Sequence, residues 1–131
     1  MALTLFQNIT EKLTDYEKQQ LVPLFISVLK DTHENRRITA RKVCEWFMLA
    51  GVMGMSDTRV RKMVNYIRQM NLCSPAVLIG SSKGYFISTM ITVVDDEIES
   101  MQGRVDSHLS VIDALKAQRE NLKRIHNGTT H

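Results

Sequence analysis

This chain has few cysteines, no long apolar run and no recognisable catalytic signature. Its two cysteines, Cys44 and Cys73, form no CxxC pair and have no histidine cluster beside them. That excludes a disulfide-stapled scaffold and a cysteine-based zinc site, and leaves two reduced thiols within apolar patterns. No apolar stretch is long enough for a bilayer-spanning helix, so no membrane partner is expected. A glycine-rich phosphate loop with a trailing lysine, a nucleophile elbow and an HExxH pair are all missing, so no enzyme, catalytic residue, cofactor or small-molecule substrate is expected. The start, Met1-Ala2-Leu3-Thr4-Leu5-Phe6, has neither the basic region nor the small-residue cleavage site of a secretory signal. The expected location is a cytoplasm. There are no internal repeats and no low-complexity segments.

What the chain does have is an uneven charge. The net value of +3 over 131 residues conceals three blocks. Residues 33–92 hold nine arginines and lysines against three acids, whereas residues 1–32 and 93–131 are each slightly acidic. Basic charge confined to the centre marks a polyanion-binding surface or, more plainly, a solvated face.

The element pattern is mixed. Residues 1–13 carry Leu3, Leu5, Phe6, Ile9 and Leu13 among polar neighbours and are expected to be an N-terminal arm. Thr14 and Glu17 have capping-box spacing, which opens a helix over about 15–30. Its apolar face carries Leu21, Leu24, Phe25, Val28 and Leu29, and Pro23 should kink or restart it. Arg36-Arg37-Ile38 suits a very short strand. Thr39 caps a second helix, about 40–50, with Val43, Trp46, Phe47 and Ala50 inward. Gly51 to Met55 forms a turn whose glycines permit positive φ. Ser56 caps a third helix, about 57–70. Val77-Leu78-Ile79 and Tyr85-Phe86-Ile87, joined by the turn-forming run Gly80 to Gly84, make a β-hairpin. A long helix follows over 93–126, then a flexible tail over 127–131. The fold class is mainly α with a small hairpin. Residues 14–92 read as a winged helix-turn-helix, because two helices joined by a short glycine-containing turn lead directly into the hairpin.

Three stretches carry a family resemblance. They are Ile38-Thr39-Ala40-Arg41-Lys42-Val43-Cys44, Arg59-Val60-Arg61-Lys62-Met63-Val64-Asn65-Tyr66-Ile67-Arg68 and Ser81-Ser82-Lys83-Gly84-Tyr85-Phe86. Together they resemble the winged helix-turn-helix domain of small phage-type DNA-binding proteins, a likeness covering about 38–125. It implies duplex DNA as partner and a bacterial cytoplasm or nucleoid as location, with phage origin compatible. The methionine-rich turn and the histidine-containing tail depart from that pattern.

At 100° per residue, Val60, Met63, Val64 and Ile67 fall on one side of the third helix. Thr58, Lys62, Asn65 and Gln69 occupy the opposite pole, where their chemistry suits base edges in a major groove. Arg59 and Tyr66 flank that pole on one side, Arg61 and Arg68 on the other. With Ser56, Arg41, Lys42 and Lys83 they are candidate phosphate contacts. A solvated amphipathic helix is the alternative. In the long helix, Ile98, Met101, Val105, Ile112, Leu115 and Leu122 step by fours and threes with His108 and Arg119 in the same row, as in a coiled-coil seam. The expectation is a homo-oligomer, a dimer or larger, that presents two DNA-binding heads in transcriptional control or phage-type replication and genome handling. The competing reading is an adaptor that holds or inhibits a host protein.

Overall fold

The computed structural model describes residues 13–128. The expected arm therefore lies outside the described residues except for Leu13, which is buried in the core. Of the expected tail, residues 129–131 lie outside them too, whereas Asn127 and Gly128 are helical.

The chain is mainly helical with one two-stranded antiparallel hairpin. A π-helical turn, Glu17–Leu21, leads into α1, Val22–Leu29. The remaining elements are α2 (Ala40–Leu49), α3 (Asp57–Gln69), β1 (Val77–Ser81), β2 (Gly84–Ser88) and α4 (Ile91–Gly128). The chain divides into two compact units, one running through Val94 and the other from Asp95.

Local chemistry sets the helix ends. The Thr14 backbone N–H donates to Glu17 Oε1 at 2.9 Å, and the Glu17 N–H donates to Thr14 Oγ1 at 3.1 Å, a reciprocal capping box. Pro23 lacks the N–H that an uninterrupted α-helix would need there. The chain meets this with the π turn, in which the Val22 N–H reaches Glu17 O, and α1 restarts with the proline in its first turn. The extra residue shifts the apolar face, so Leu24 is exposed and Val28 half-buried. Thr39 and Ser56 cap α2 and α3 by accepting from the Lys42 and Arg59 N–H groups, each at 3.2 Å.

Helices α2 and α3 end alike. Gly51 has φ +85°, with Val52 N–H donating to Phe47 O at 2.9 Å. Asn71 has φ 54°, with Leu72 N–H donating to Ile67 O at 3.0 Å. Both are Schellman closures. The second is built on asparagine, the non-glycine residue best suited to a left-handed backbone.

The core lies among α1, α2 and α3, under the hairpin. Phe25 and Phe47 meet edge to face at 6.5 Å, and Val43, Val60, Met63 and Ile67 close around them without exposure beyond 1 %. Trp46 packs at the margin and Ala50, expected inside, is exposed at the end of α2.

The hairpin is tighter than the sequence suggests. Gly80 and Ser81 join β1 and Gly84 joins β2, leaving Ser82-Lys83 as a two-residue turn. Phe86 is buried, while Tyr85 is half-buried beside the core. The outer edge of β2 is covered by the segment before α2. Ile38 and Tyr85 exchange backbone hydrogen bonds of 2.9 and 2.7 Å. Thr32 Oγ1 accepts from the Ile87 N–H at 3.1 Å while donating to Leu29 O. Gly84 is required here: its φ is +120°, and a Cβ would stand 2.9 Å from Ile38 O.

The long helix starts two residues earlier than its pattern implies, at Ile91. The acids Asp95, Asp96, Glu97 and Glu99 therefore begin in its second turn, where the helix dipole favours them less than it would in the first.

Candidate nucleic-acid interface

Helix α3 is held from both sides, and the two anchors decide which of its residues face outward. On one side, Arg59 Nε donates to Glu17 Oε2 at 2.9 Å, with Arg59 a quarter exposed and Glu17 only 3 % exposed. Lys18 sits 5.7 Å above the centre of the Tyr66 ring on the same side. Burial alone would raise the Glu17 pKa. The Thr14 N–H bond, Arg59 and Lys62 outweigh it, and the carboxyl lies below its usual value.

On the other side, Arg68 Nε donates to Leu78 O at 3.3 Å, tying α3 to β1. The Tyr85 ring lies close over Gly80, within 3.0 Å of where a Cβ would be, with the Arg68 guanidinium against the same position at 3.1 Å. Burial pushes the Tyr85 phenol up, Arg61 and Arg68 pull it down, and Asp57 adds to the rise.

Between these anchors stand Thr58, Arg61, Lys62, Asn65 and Gln69. Thr58, Arg61 and Gln69 are exposed, and Lys62 and Asn65 half-exposed. Arg61 makes only a long contact with the Thr58 hydroxyl, at 3.5 Å. The side chains of Lys62, Asn65 and Gln69 form no hydrogen bond or ion pair among the described residues. This pole therefore keeps its donors and acceptors open. Of the phosphate candidates, Arg59, Tyr66 and Arg68 have internal partners, and the Ser56 hydroxyl serves as a cap. Those tertiary partners are far away in sequence, so helical spacing cannot reveal them.

Lys83 is exposed on the hairpin turn and forms no ion pair among the described residues. Ser81 shapes that turn. Its hydroxyl accepts from the Lys83 N–H at 3.2 Å and from Arg37 at 2.9 Å. Arg37 also lies 4.6 Å from the centre of the Phe86 ring, so it braces the hairpin. At the start of α2, Arg41 and Lys42 both approach Glu45, at 3.4 and 3.6 Å. All three are solvent-facing, and such pairs are weak enough to yield to a phosphate. Lys42 further lines an open groove of about 350 Å³ with Arg36, Asp31 and Trp46.

Cys44 and Cys73 are half-buried free thiols. Burial raises both above the usual thiol value; Asp57 adds to the rise at Cys44, and Lys30 opposes it at Cys73. They are accordingly weak nucleophiles. Among the described residues no group of three or more His, Cys, Asp or Glu side chains gathers as metal ligands. No helix among them is long and apolar enough to cross a membrane.

In α4 the residues assigned to the seam, Ile98, Met101, Val105, Ile112, Leu115 and Leu122, are all exposed. So are Leu109, Val111 and Ile125, which a strict four–three count leaves aside. Their signal was available in the sequence as apolar residues immediately flanking the seam.

In comparisons with known proteins, no protein family, no curated protein and no solved structure matches this chain.

Proposed function

We propose that the unit ending at Val94 is a winged helix-turn-helix that binds double-stranded DNA, with α3 in the major groove and the β1–β2 hairpin as its wing. The order of elements supports this reading, as does the Ile38–Tyr85 pairing, which adds a third short strand segment to the hairpin. The observation that carries it is the outward pole of α3. Lys62, Asn65 and Gln69 hold unused hydrogen-bonding groups there beside Arg61, while Arg59 and Arg68 fix the helix to the body.

In this reading Asn65 and Gln69 read adenine edges, Lys62 reads guanine, and the Thr58 methyl touches thymine. Arg61, Arg41, Lys42 and Lys83 hold phosphates and set the register. α4 joins copies of the chain, so that two heads bind with raised effective concentration. Control of transcription, or replication and genome handling of the phage type, is the corresponding role.

The test is selection of bound duplexes from a random pool, followed by variants. Lys62→Ala combined with Asn65→Ala should weaken the selected site by about 30-fold or more, as each of the two base contacts is worth about 1–3 kcal/mol. Random duplex should be much less affected. Arg61→Ala should weaken both alike. An unchanged sequence preference in the double variant would overturn the assignment of base-reading residues.

A second reading has its own observation. Met48, Leu49 and Met53 crowd the end of α2 and the following turn, and Leu49 and Met53 are 89 % and 77 % exposed. Flexible, exposed methionine suits a protein partner. An adaptor that holds a host protein through this corner would bind no DNA at low salt.

A further inference from the structure

We infer that the partner covering the apolar stripe of α4 is a second copy of the same helix, running antiparallel and centred on the level of Ser110. The inference rests on the proposal that α4 joins copies of the chain, and adds the direction and register of that joint.

Charge is the first argument. Residues 95–106 hold five acids against Arg104, whereas residues 116–126 hold four lysines and arginines against Glu120. Within the helix Glu120 is already shared by Arg119 and Lys123 at 3.4 Å, and Arg104 reaches Glu97 at 3.7 Å. Asp95, Asp96 and Glu99 at one end, and Lys116 and Arg124 at the other, form no ion pair among the described residues. A parallel pair sets acidic end on acidic end and basic on basic. An antiparallel pair sets each against its opposite, and like-charge juxtaposition is the costly arrangement.

The seam gives the second argument. In a parallel pair every seam residue meets its own copy, so Arg119 stacks on Arg119 and His108 on His108. Turned antiparallel about the level of Ser110, Ile98 meets Leu122, Val105 meets Leu115, Ile112 meets His108 and Met101 meets Arg119. Every layer then contains an apolar side chain, and none contains two cations.

Leu109 and Val111, 53 % and 56 % exposed, lie off the seam, one on each flank. In the antiparallel register Leu109 meets Leu109, and Val111 meets Val111, across the two-fold axis. The apolar face is thus widest where two copies of one sequence cross. The same register brings Asp95 on the flank to within about 3 Å, along the axis, of the level of Lys123 in the other copy. At 1.5 Å per residue, the two Val94 residues stand about 48 Å apart, at opposite ends of the paired helices.

The experiment uses full-length chains carrying Ile98→Cys or Leu122→Cys, prepared alone and co-expressed. Each is oxidised mildly and run on a non-reducing gel, with the parent chain as control for Cys44 and Cys73. Light scattering reports the mass in solution. The expected result is a dimer in which the co-expressed pair cross-links and neither variant alone does so. Val105→Cys with Leu115→Cys repeats the test at another layer, should the first pair disturb the helix. Self-cross-linking of each variant alone overturns the direction while leaving self-association intact. A dimer in which neither co-expressed pair cross-links overturns the register, and a monomer at every concentration overturns the helix as a joint altogether.

Discussion

Replacing Glu17 by alanine probes the anchor that orients α3. The carboxylate is 3 % exposed and makes two charge-assisted bonds at 2.9 Å, one to the Thr14 N–H and one to Arg59. Loss of the cap costs about 1 kcal/mol. Loss of one partner from a fully buried ion pair costs about 3–5 kcal/mol. Arg59 is a quarter exposed and can recover water, so the second figure shrinks, and a total near 3 kcal/mol is expected. Glu17→Gln keeps an acceptor for Thr14 but loses the charge facing Arg59, and should cost about 1–2 kcal/mol. Trp46, the single tryptophan, packs 5.2 Å from Phe47 in the core, so its fluorescence reports urea unfolding of this unit. The comparison is made at pH 7 and fixed protein concentration. A Glu17→Ala chain within about 0.5 kcal/mol of the parent, the range of an ordinary surface substitution, would refute the anchor.

Further outcomes follow from the same geometry. Because the Glu17 pKa is lowered on folding, its contribution is complete above the ordinary carboxylate value of 4.5 and is lost as pH falls through the depressed value; urea titrations below pH 5 should show the parent losing more stability than Glu17→Ala. Gly84→Ala places a Cβ 2.9 Å from Ile38 O at a φ of +120°, and should cost about 2 kcal/mol or more in the same unfolding assay. Thr39→Ala and Ser56→Ala should each cost about 1 kcal/mol, and since they cap different helices their effects should add in the double variant.

Local chemistry was legible in the sequence and tertiary chemistry was not. Thr14, Thr39 and Ser56 act as caps because a hydroxyl beside a helical pattern needs only its own neighbours to do so. The buried face of α3 follows from a period of 3.6 residues, and its four members are all buried. The π turn was hidden, because Pro23 announces a disturbance without saying whether the helix bends or gains a residue. The partners of Arg59 and Arg68 were hidden for another reason: Glu17 lies 42 residues from Arg59, and Arg68 binds a backbone carbonyl that any sequence would supply. Ser81 pairs with Gly84 at the end of β1, and the bond from Arg37, 44 residues away, to its hydroxyl is another contact that local spacing does not show.

The most direct measurement is equilibrium binding of the full chain to duplex DNA at rising salt, followed by fluorescence anisotropy. Four cations remain for phosphates on each head: Arg41, Lys42, Arg61 and Lys83. Neutralising four phosphates gives a log–log slope of about −3.6 per head. Binding that weakens with that slope, and that persists for a selected site after random duplex has been released, is the predicted result. Absence of binding to any duplex at low salt would contradict the account and leave the exposed corner at Leu49 and Met53 as the working surface.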